Sequence, residues 1–415
     1  RSTGIPQAES FVTGSISVLE FMNMALRSVP RRSQHMPMKN KAAAMYLASL
    51  VALLLADSAN GFLAAPPTGS TAVAGTSSLF GCNRVEEVGH AFRGRKRSMV
   101  VGTRKPRGNA AAGKMAKMAV EGAQERSKLA LETADAIPRG PAGAIKLTYL
   151  EINSWMWQVN GLNLLVDPLF GNLDFGVPFL IDGKKRVLSD SERVMRELAE
   201  VTDFLIISQG FYDHCHPPTI QALAGLLKPS VRLVAPPSAG GVLEEHFPAS
   251  RITYILPGES TVLSAGGRAV EIKATSGATL GPPWQQAENG FVVRPAAPNG
   301  TGKAPPGGSL YYEPHVMYDE AELSEMEVDI VITPVVQQLI GPFALVSGGA
   351  KALNLASILS ASKVVTMANG EADFTGPLGD VVKASGTLEE FQELARDKDI
   401  SVVVPEPAKT VSVWP

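Results

Sequence analysis

The hydrophobic pattern becomes regular only from about residue 143 onward. Short apolar runs bounded by turn residues predict strands there, and amphipathic stretches with capping residues predict helices. The paired prolines at 217 and 218 suit the first turn of a helix. In the first half of this region the two kinds of element alternate, with strands predicted at 146–150, 156–159, 162–166, 204–208, 232–235 and 252–256, and helices at 191–199, 217–227 and 238–247.

The second half of the region begins with four short strands that have no helix between them. These strands are predicted at 261–263, 269–274, 290–293 and 309–312, with a loop rich in Pro and Gly at 294–308. Two helix–strand pairs follow, a helix at 319–326 with a strand at 329–333 and a helix at 350–359 with a strand at 363–366. The capping box of Thr387 and Glu390 opens a last helix, which precedes a strand at 401–404.

This order of elements predicts the fold class. A doubly wound parallel sheet fits less well, because the middle strands lack intervening helices. Mixed strands with enough helices for two outer faces favour an α/β fold, a four-layer αββα sandwich over residues 143–415. No period of a repeat architecture is visible.

The charge of the chain is divided unevenly. Residues 1–142 contain 19 Lys and Arg against 9 Asp and Glu, whereas residues 143–415 contain 19 against 31. Such asymmetry is typical of a tail or targeting segment on a globular domain. The acidic body argues against nucleic acid as a partner, since binding to phosphates requires concentrated basic residues.

The first segment, residues 1–61, is interpreted as upstream sequence followed by a signal peptide. Met38 is followed by the basic residues Lys39 and Lys41 and then by an apolar run at 42–56. This run is shorter than the roughly 20 residues that span a bilayer, so a signal peptide is favoured over a membrane anchor. No membrane span is therefore expected in the mature protein.

Residues 62–142 are interpreted as a plastid transit peptide and linker. The stretch from Phe62 to Lys117 has 10 basic and 2 acidic residues, which is transit-peptide composition. A signal peptide followed by such a stretch resembles the bipartite plastid presequence of algae with secondary plastids, and a disordered secreted N-terminus is the alternative. The chain has only two cysteines, Cys82 and Cys215, a usage typical of a reducing compartment.

Several segments of the body resemble metallo-β-lactamase-fold proteins, most closely a lactonase-like branch. Asp167 and Pro168 end a strand as in that branch, and Asp213 and His214 close a segment that resembles its His-x-His-x-Asp-His motif. The resemblance extends to a plant and cyanobacterial plastid-type group that shares three motifs, which read here Gln209–His216, 281–285 (Gly-Pro-Pro-Trp-Gln) and Tyr311–His315. It implies the αββα fold and a metal-dependent hydrolase.

The sequence departs from the family at most of the metal ligands. Ile152 and Asn153 stand where the lactonase-like branch has a Gly-His pair. Gln209 and Phe211 replace two histidines, Gly277 lies where a third is expected, Pro314 replaces a bridging aspartate, and Asn369 replaces the final histidine. The body contains only His214, His216, His246 and His315, so a dinuclear site with five histidines cannot form.

A single-metal site remains conceivable. Asp213 and His214 are the candidate catalytic residues and ligands, and His216, Glu313 and His315 are further candidate ligands. These ligand types suit zinc, iron or manganese. The alternative is that no metal binds and that Asp213 and His214 form a hydrogen-bonded structural pair. The expected pocket residues are Asp167, Gln209, Trp284 and Asn369.

These observations predict a plastid metallo-β-lactamase-fold protein, a metal-dependent hydrolase with a reduced metal site and an unidentified small-molecule ligand. The alternative is a non-catalytic binding or assembly protein on the same fold. Cys215 is expected to be a buried structural thiol, and Trp155 and Trp157 are expected in the core.

Overall fold

A computed structural model describes residues 141–188, 191–279, 286–298, 302–340 and 343–415. The predicted signal and transit peptides and Trp284 lie outside these residues. Within them, no helix has the length and apolar character needed to cross a bilayer.

The described residues form two large mixed sheets with helices on both sides. The strands are β1 (Ile145–Tyr149), β2 (Trp155–Val159), β3 (Leu162–Val166), β4 (Asp182–Lys184), β5 (Phe204–Ile206), β6 (Arg232–Ala235), β7 (Ile252–Tyr254), β8 (Ser260–Ala265), β9 (Arg268–Ser276), β10 (Asn289–Ala296), β11 (Leu310–Tyr312), β12 (Ile330–Pro334), β13 (Gln337–Ile340), β14 (Phe343–Val346), β15 (Lys363–Met367), β16 (Asp373–Thr375), β17 (Val382–Ser385), β18 (Ser401–Val403) and β19 (Thr410–Trp414). The helices are α1 (Ser191–Val201), α2 (Pro217–Ala224), α3 (Gly240–Leu243), α4 (Glu320–Leu323), α5 (Gly349–Ile358) and α6 (Leu388–Arg396), with 3₁₀ turns at Pro237–Ala239 and Ala249–Arg251.

Each large sheet is antiparallel in one half and parallel in the other. The first has the order β19-β1-β2-β3-β5-β6-β7 and is parallel from β3 onward. The second has the order β18-β15-β12-β11-β10-β9-β8 and is parallel from β11 to β18. Helical crossovers explain the parallel halves, because parallel neighbours need a long connection.

The two sheets face each other across an apolar core. In β2, Trp155, Trp157 and Val159 point into this core, whereas Met156 points to the opposite face of the sheet. This division follows from the strand period of two, and both faces of the strand are buried. The predicted core positions of Trp155 and Trp157 are confirmed.

Helices cover the outer face of each sheet and complete the four layers. Helices α1, α2 and α3 pack on the first sheet through apolar residues such as Leu198, Leu223 and Leu243. Helices α4, α5 and α6 pack on the second sheet through residues such as Leu355 and Phe391. The predicted αββα sandwich is confirmed.

Several elements differ from the prediction. The helix expected at 238–247 is a 3₁₀ turn followed by the single turn α3, since Gly240 and Gly241 weaken a helix interior. Strand β10 continues to Ala296, into the expected loop. The sequence pattern also missed β19 and two small sheets, β14-β13-β17 and β16-β4.

The carboxyl ends of the parallel strands converge on one edge of the sandwich. Asp167 follows β3, the segment 207–216 follows β5, Glu313 follows β11 and Asn369 follows β15. The Tyr312 hydroxyl donates to Asp167 across the two sheets at 2.9 Å, which places both sets of strand ends at the same edge. In sheets with parallel strands this edge is where ligands usually bind.

Candidate metal centre

Asp167 is a fully buried carboxylate at the centre of this edge. Its Oδ1 accepts the backbone N–H of Ser208 at 2.7 Å. Its Oδ2 accepts the hydroxyls of Ser208 and Tyr312 and faces His214 Nδ1 at 2.8 Å. A buried charge of this kind is tolerated because four donors converge on the carboxylate, one on Oδ1 and three on Oδ2. Asp167 therefore fixes the ring of His214 and links the two sheets.

His214 is held in one tautomer and orientation. The residue lies in a tight turn after β5, in which the N–H groups of His214 and Cys215 both donate to the carbonyl of Phe211. Because Asp167 can only accept, His214 Nδ1 carries a proton and donates it. His214 Nε2 consequently points away from Asp167, toward the cleft between the sheets.

His315 meets His214 from the opposite sheet. Its Nδ1 lies 2.9 Å from the carbonyl oxygen of Leu345, so Nδ1 is again the donor. The Nε2 atoms of His214 and His315 lie 3.2 Å apart, and both rings are buried. Neutral rings in these tautomers present two lone pairs to each other, so the pair needs a shared cation or a shared proton.

Asp213 adds a carboxylate to the two imidazoles. Its Oδ2 lies 3.5 Å from His214 Nε2, and ligand atoms of Asp213, His214 and His315 all lie within 4.8 Å of one another. Two nitrogens bound to a tetrahedral zinc at about 2.0–2.1 Å lie about 3.3 Å apart, close to the observed separations. Each imidazole also donates its other N–H to an oxygen, as metal-binding histidines generally do. The residues present therefore fit one divalent cation.

The pKa values of the two histidines are shifted in opposite directions. Burial opposes charge on His214, but the carboxylates of Asp213 and Asp167 outweigh this effect and raise its pKa to about 9. Burial and the neighbouring charge of His214 lower the pKa of His315 to about 4. A single positive charge, on a proton or a metal ion, is thus favoured between the two rings.

Asn153 is a contact of this cluster that the sequence did not single out as a site residue. It lies in the turn between β1 and β2, and its Nδ2 is 2.9 Å from Asp213 Oδ2 and 3.1 Å from His214 Nε2. The available signal was its position where the related family has the Gly-His pair. Tyr312, inside a recognised motif, was likewise missed as the donor to Asp167.

Glu313 lies at this edge but is not brought into the ligand cluster. Its Oε2 accepts the N–H groups of His315 at 3.0 Å and Met317 at 2.7 Å, and its Oε1 accepts Gln209 Nε2 at 3.3 Å. Burial raises the pKa of Glu313 to about 7. Because the carboxylate is hydrogen-bonded to the backbone of its own loop, Glu313 positions His315 and does not join Asp213 and His214 as expected.

His216 also lies outside the cluster, in contrast to its expected role as a ligand. As the N-cap residue of α2 it turns toward that helix, where its Nδ1 lies 2.8 Å from Thr219 Oγ1. Its ring packs edge-on against Tyr212 at 5.1 Å. Burial lowers the pKa of His216 to about 4, so the ring is neutral.

The remaining expected pocket residues have structural partners. Asn369 donates to the carbonyl of Pro314 at 3.0 Å and accepts from Gln338 at 2.7 Å, and thus supports the loop of His315. Gln209 is buried against Glu313. Cys215 packs in the core, and burial raises the pKa of its thiol, in agreement with a structural thiol.

Glu288 is a buried carboxylate beside the site that the sequence did not reveal. It accepts the N–H of Gly210 at 3.0 Å and the hydroxyl of Ser238 at 2.6 Å. A side chain at Gly210 would collide with Ser238, since a Cβ there would lie 2.6 Å from its carbonyl carbon. The close approach requires glycine and fixes the start of the segment that leads to His214.

Comparison with known proteins identifies the family. Residues 146–368, more than half of the chain, match the family described as beta-lactamase superfamily domain. The chain therefore belongs to the beta-lactamase superfamily, as the sequence motifs predicted. No curated protein matches the chain.

Solved structures give distant likenesses to the same fold. Igni18, a metallo hydrolase from Ignicoccus hospitalis, is 16% identical with a TM-score of 0.42, and the match covers 65% of this chain and 98% of that one. The isothiocyanate hydrolase from Delia radicum gut bacteria is 16% identical, with a TM-score of 0.44 and coverages of 64% and 98%. The metallo-beta-lactamase fold protein YhfI from Bacillus subtilis is 13% identical, with a TM-score of 0.41 and coverages of 65% and 99%. The family assignment rests on the sequence match.

Proposed function

We propose that this protein is a metal-dependent hydrolase with a reduced site, in which Asp213, His214 and His315 hold a single divalent cation. One observation carries the proposal: the two Nε2 atoms face each other at 3.2 Å, while both Nδ1 atoms are committed to oxygen acceptors. This arrangement of paired imidazoles beside a carboxylate is suited to zinc, iron or manganese.

The composition of the edge supports one cation instead of two. Gln209 and Phe211 stand where the related family has histidines, and Phe211 has no atom that binds a metal. Glu313, a further buried carboxylate near the pair, already accepts from two backbone N–H groups and from Gln209. A second metal would have to break these contacts.

The chain's own residues have distinct roles in this proposal. When bound, a divalent cation supplies Lewis-acid chemistry, which polarises a carbonyl or phosphoryl group and makes water more acidic. Asp167 holds His214 in the ligating tautomer, and Glu313 holds the loop of His315. The Asp213 side chain is 23% exposed, so a small-molecule substrate has access to this side of the cluster.

We also propose that the protein acts in a plastid. The support is the basic, acidic-poor composition of residues 62–117 behind a short apolar segment. A fluorescent protein fused behind residues 38–142 should enter the plastid of an alga with secondary plastids. Secretion of the fusion to the medium would contradict the proposal.

A non-catalytic binding or assembly protein is the second candidate, and the histidine pair itself favours it. The raised pKa of His214 and the lowered pKa of His315 also fit a proton donated from one Nε2 to the other. Such a proton would satisfy both rings without a metal, and the pair would then be a structural link between the sheets.

Metal analysis of the purified full-length chain separates the two candidates. The hydrolase proposal expects about one equivalent of tightly bound zinc, iron or manganese, which His214→Ala should abolish together with any hydrolysis of ester and lactone test substrates. His246→Ala is the matched control, because His246 is the one histidine of the body outside this edge. Two equivalents of tightly bound metal per chain would refute the single-metal site. No metal, with only the ordinary loss of about 0.5–3 kcal/mol of stability in His214→Ala, would favour the binding protein.

A further inference from the structure

Asn153 presents an unusual pattern of contacts to the candidate metal ligands. The residue is 1% exposed, and its Nδ2 lies within hydrogen-bonding distance of both Asp213 Oδ2 and His214 Nε2. Its Oδ1 is buried, and no described residue donates a hydrogen bond to it. An unpaired buried amide oxygen costs about 1–3 kcal/mol, so its presence calls for a physical reason.

The two ends of an asparagine amide are nearly identical in shape, so a half-turn about Cβ–Cγ exchanges them. The end that faces the cluster lies 2.9 Å from one candidate ligand atom and 3.1 Å from another. These separations are close to the roughly 3.3 Å expected between two ligands of one tetrahedral ion. The two separations therefore allow the amide to act as a further ligand beside Asp213 and His214.

The chemistry of a cation decides which end of the amide faces it. The amide nitrogen has no available lone pair and carries two partly positive hydrogens, whereas the amide oxygen has two lone pairs. With only a proton between the histidines, Nδ2 faces Asp213 and donates to it. With a divalent cation there, the oxygen must face the cluster.

We propose that Asn153 Oδ1 is a fourth ligand of the cation held by Asp213, His214 and His315, an inference that rests on the proposed function. The ligand set then consists of two imidazole nitrogens, one carboxylate oxygen and one amide oxygen. Carbonyl and carboxylate oxygens suit manganese and imidazoles suit zinc or iron, so this mixture favours iron or manganese more than an all-nitrogen site would.

The test uses the full chain and Co²⁺ as the probe, with affinity from calorimetry and coordination from the visible absorption spectrum. Asn153→Leu keeps the approximate volume and removes the oxygen, so we expect the Co²⁺ affinity to fall more than tenfold and the spectrum to change. Asn153→Asp keeps an oxygen at this place and adds a charge, so its affinity should equal or exceed that of the wild type. Asn163→Leu is the control, since Asn163 is an equally buried asparagine whose partners lie at Gln158 and Val201.

The outcomes separate this inference from the proposed function. If the wild type binds no Co²⁺, the metal site itself is refuted. If the wild type binds Co²⁺ and Asn153→Leu binds it within twofold with the same spectrum, only the role of Asn153 is refuted. A crystal structure of the Co²⁺-loaded wild type is independent of how the variants fold: Oδ1 at about 2.0–2.2 Å from the metal supports the inference, and an amide outside bonding distance overturns it.

Discussion

Replacement of Asp167 by asparagine tests how the site is held together. Asp167 accepts hydrogen bonds from Ser208, from His214 and from Tyr312, and its side chain is fully buried. Asparagine has nearly the same shape but only one acceptor oxygen. At least one of these donors must therefore face the amide NH₂ group, which is itself a donor.

The expected cost follows from this contact pattern. Leaving one buried donor unpaired costs about 1–3 kcal/mol, and the remaining bonds lose their charge assistance at about 1 kcal/mol each. Removal of a buried charge offsets part of this loss of stability, because the desolvation penalty of the charge also disappears. We expect Asp167→Asn to lower the free energy of unfolding by about 2–4 kcal/mol. Loss of the negative charge that orients His214 should also weaken metal binding by about 10–100-fold.

Urea unfolding and Co²⁺ titration of the same preparations measure the two effects. Asp329→Asn is the matched control, because Asp329 accepts the N–H and hydroxyl of Ser309 at the start of β12, at the opposite edge from the site. The control should lose stability without losing metal affinity. If Asp167→Asn binds Co²⁺ as tightly as the control does, Asp167 does not position His214 and the account of the site is wrong.

Two further predictions concern burial and packing. Burial lowers the pKa of Lys185 to about 7 from its ordinary 10.5. Between these pH values the unfolded chain binds a proton that the folded chain lacks. The free energy of unfolding therefore rises with pH across this window. Lys185→Met should remove up to about 1.4 kcal/mol per pH unit of that slope, measured by urea unfolding at pH 7.5, 8.5 and 9.5. If the free energy of unfolding depends on pH in the same way in the variant and the wild type, Lys185 is not a buried, neutral amine. Gly210→Ala should destabilise the protein by about 1–3 kcal/mol in thermal unfolding, because the added Cβ meets Ser238. Gly241→Ala, where a Cβ meets nothing within 4 Å, should leave stability unchanged or slightly raised, and equal effects at the two glycines would show that the close contact is not what requires Gly210.

Most of the large sheets could be predicted from the sequence because their signals are local. Strand β5 is a continuous apolar run, and β3 and β6 each contain a single polar residue among apolar ones. A strand buried on both faces needs such a run. The small sheets carry no such signal. Strand β17 pairs with β13 although most of its residues are exposed, and this pairing is decided by contacts that are distant in sequence.

The sequence alone also limited the chemistry of the site. A body with four histidines cannot supply five histidine ligands, whatever its fold. Asp213 and His214 follow a buried strand, so the sequence was sufficient to place them at the end of β5. These conclusions depend on composition and on local order, which the chain contains before it folds.

Which residues meet at the site was decided only by the tertiary structure. His216 is two positions from His214 yet turns toward its own helix, because successive residues at a helix start point in different directions. His315 is 101 positions away and lies 3.2 Å from His214, because the packing of two sheets aligns the ends of β5 and β11. Asn153 lies at the same place because the β1–β2 turn carries it there. The Glu313 carboxylate instead accepts hydrogen bonds from backbone N–H groups of its own loop. Sequence can name the groups able to bind a cation, but the distances between their atoms arise from the packing of elements that are remote along the chain.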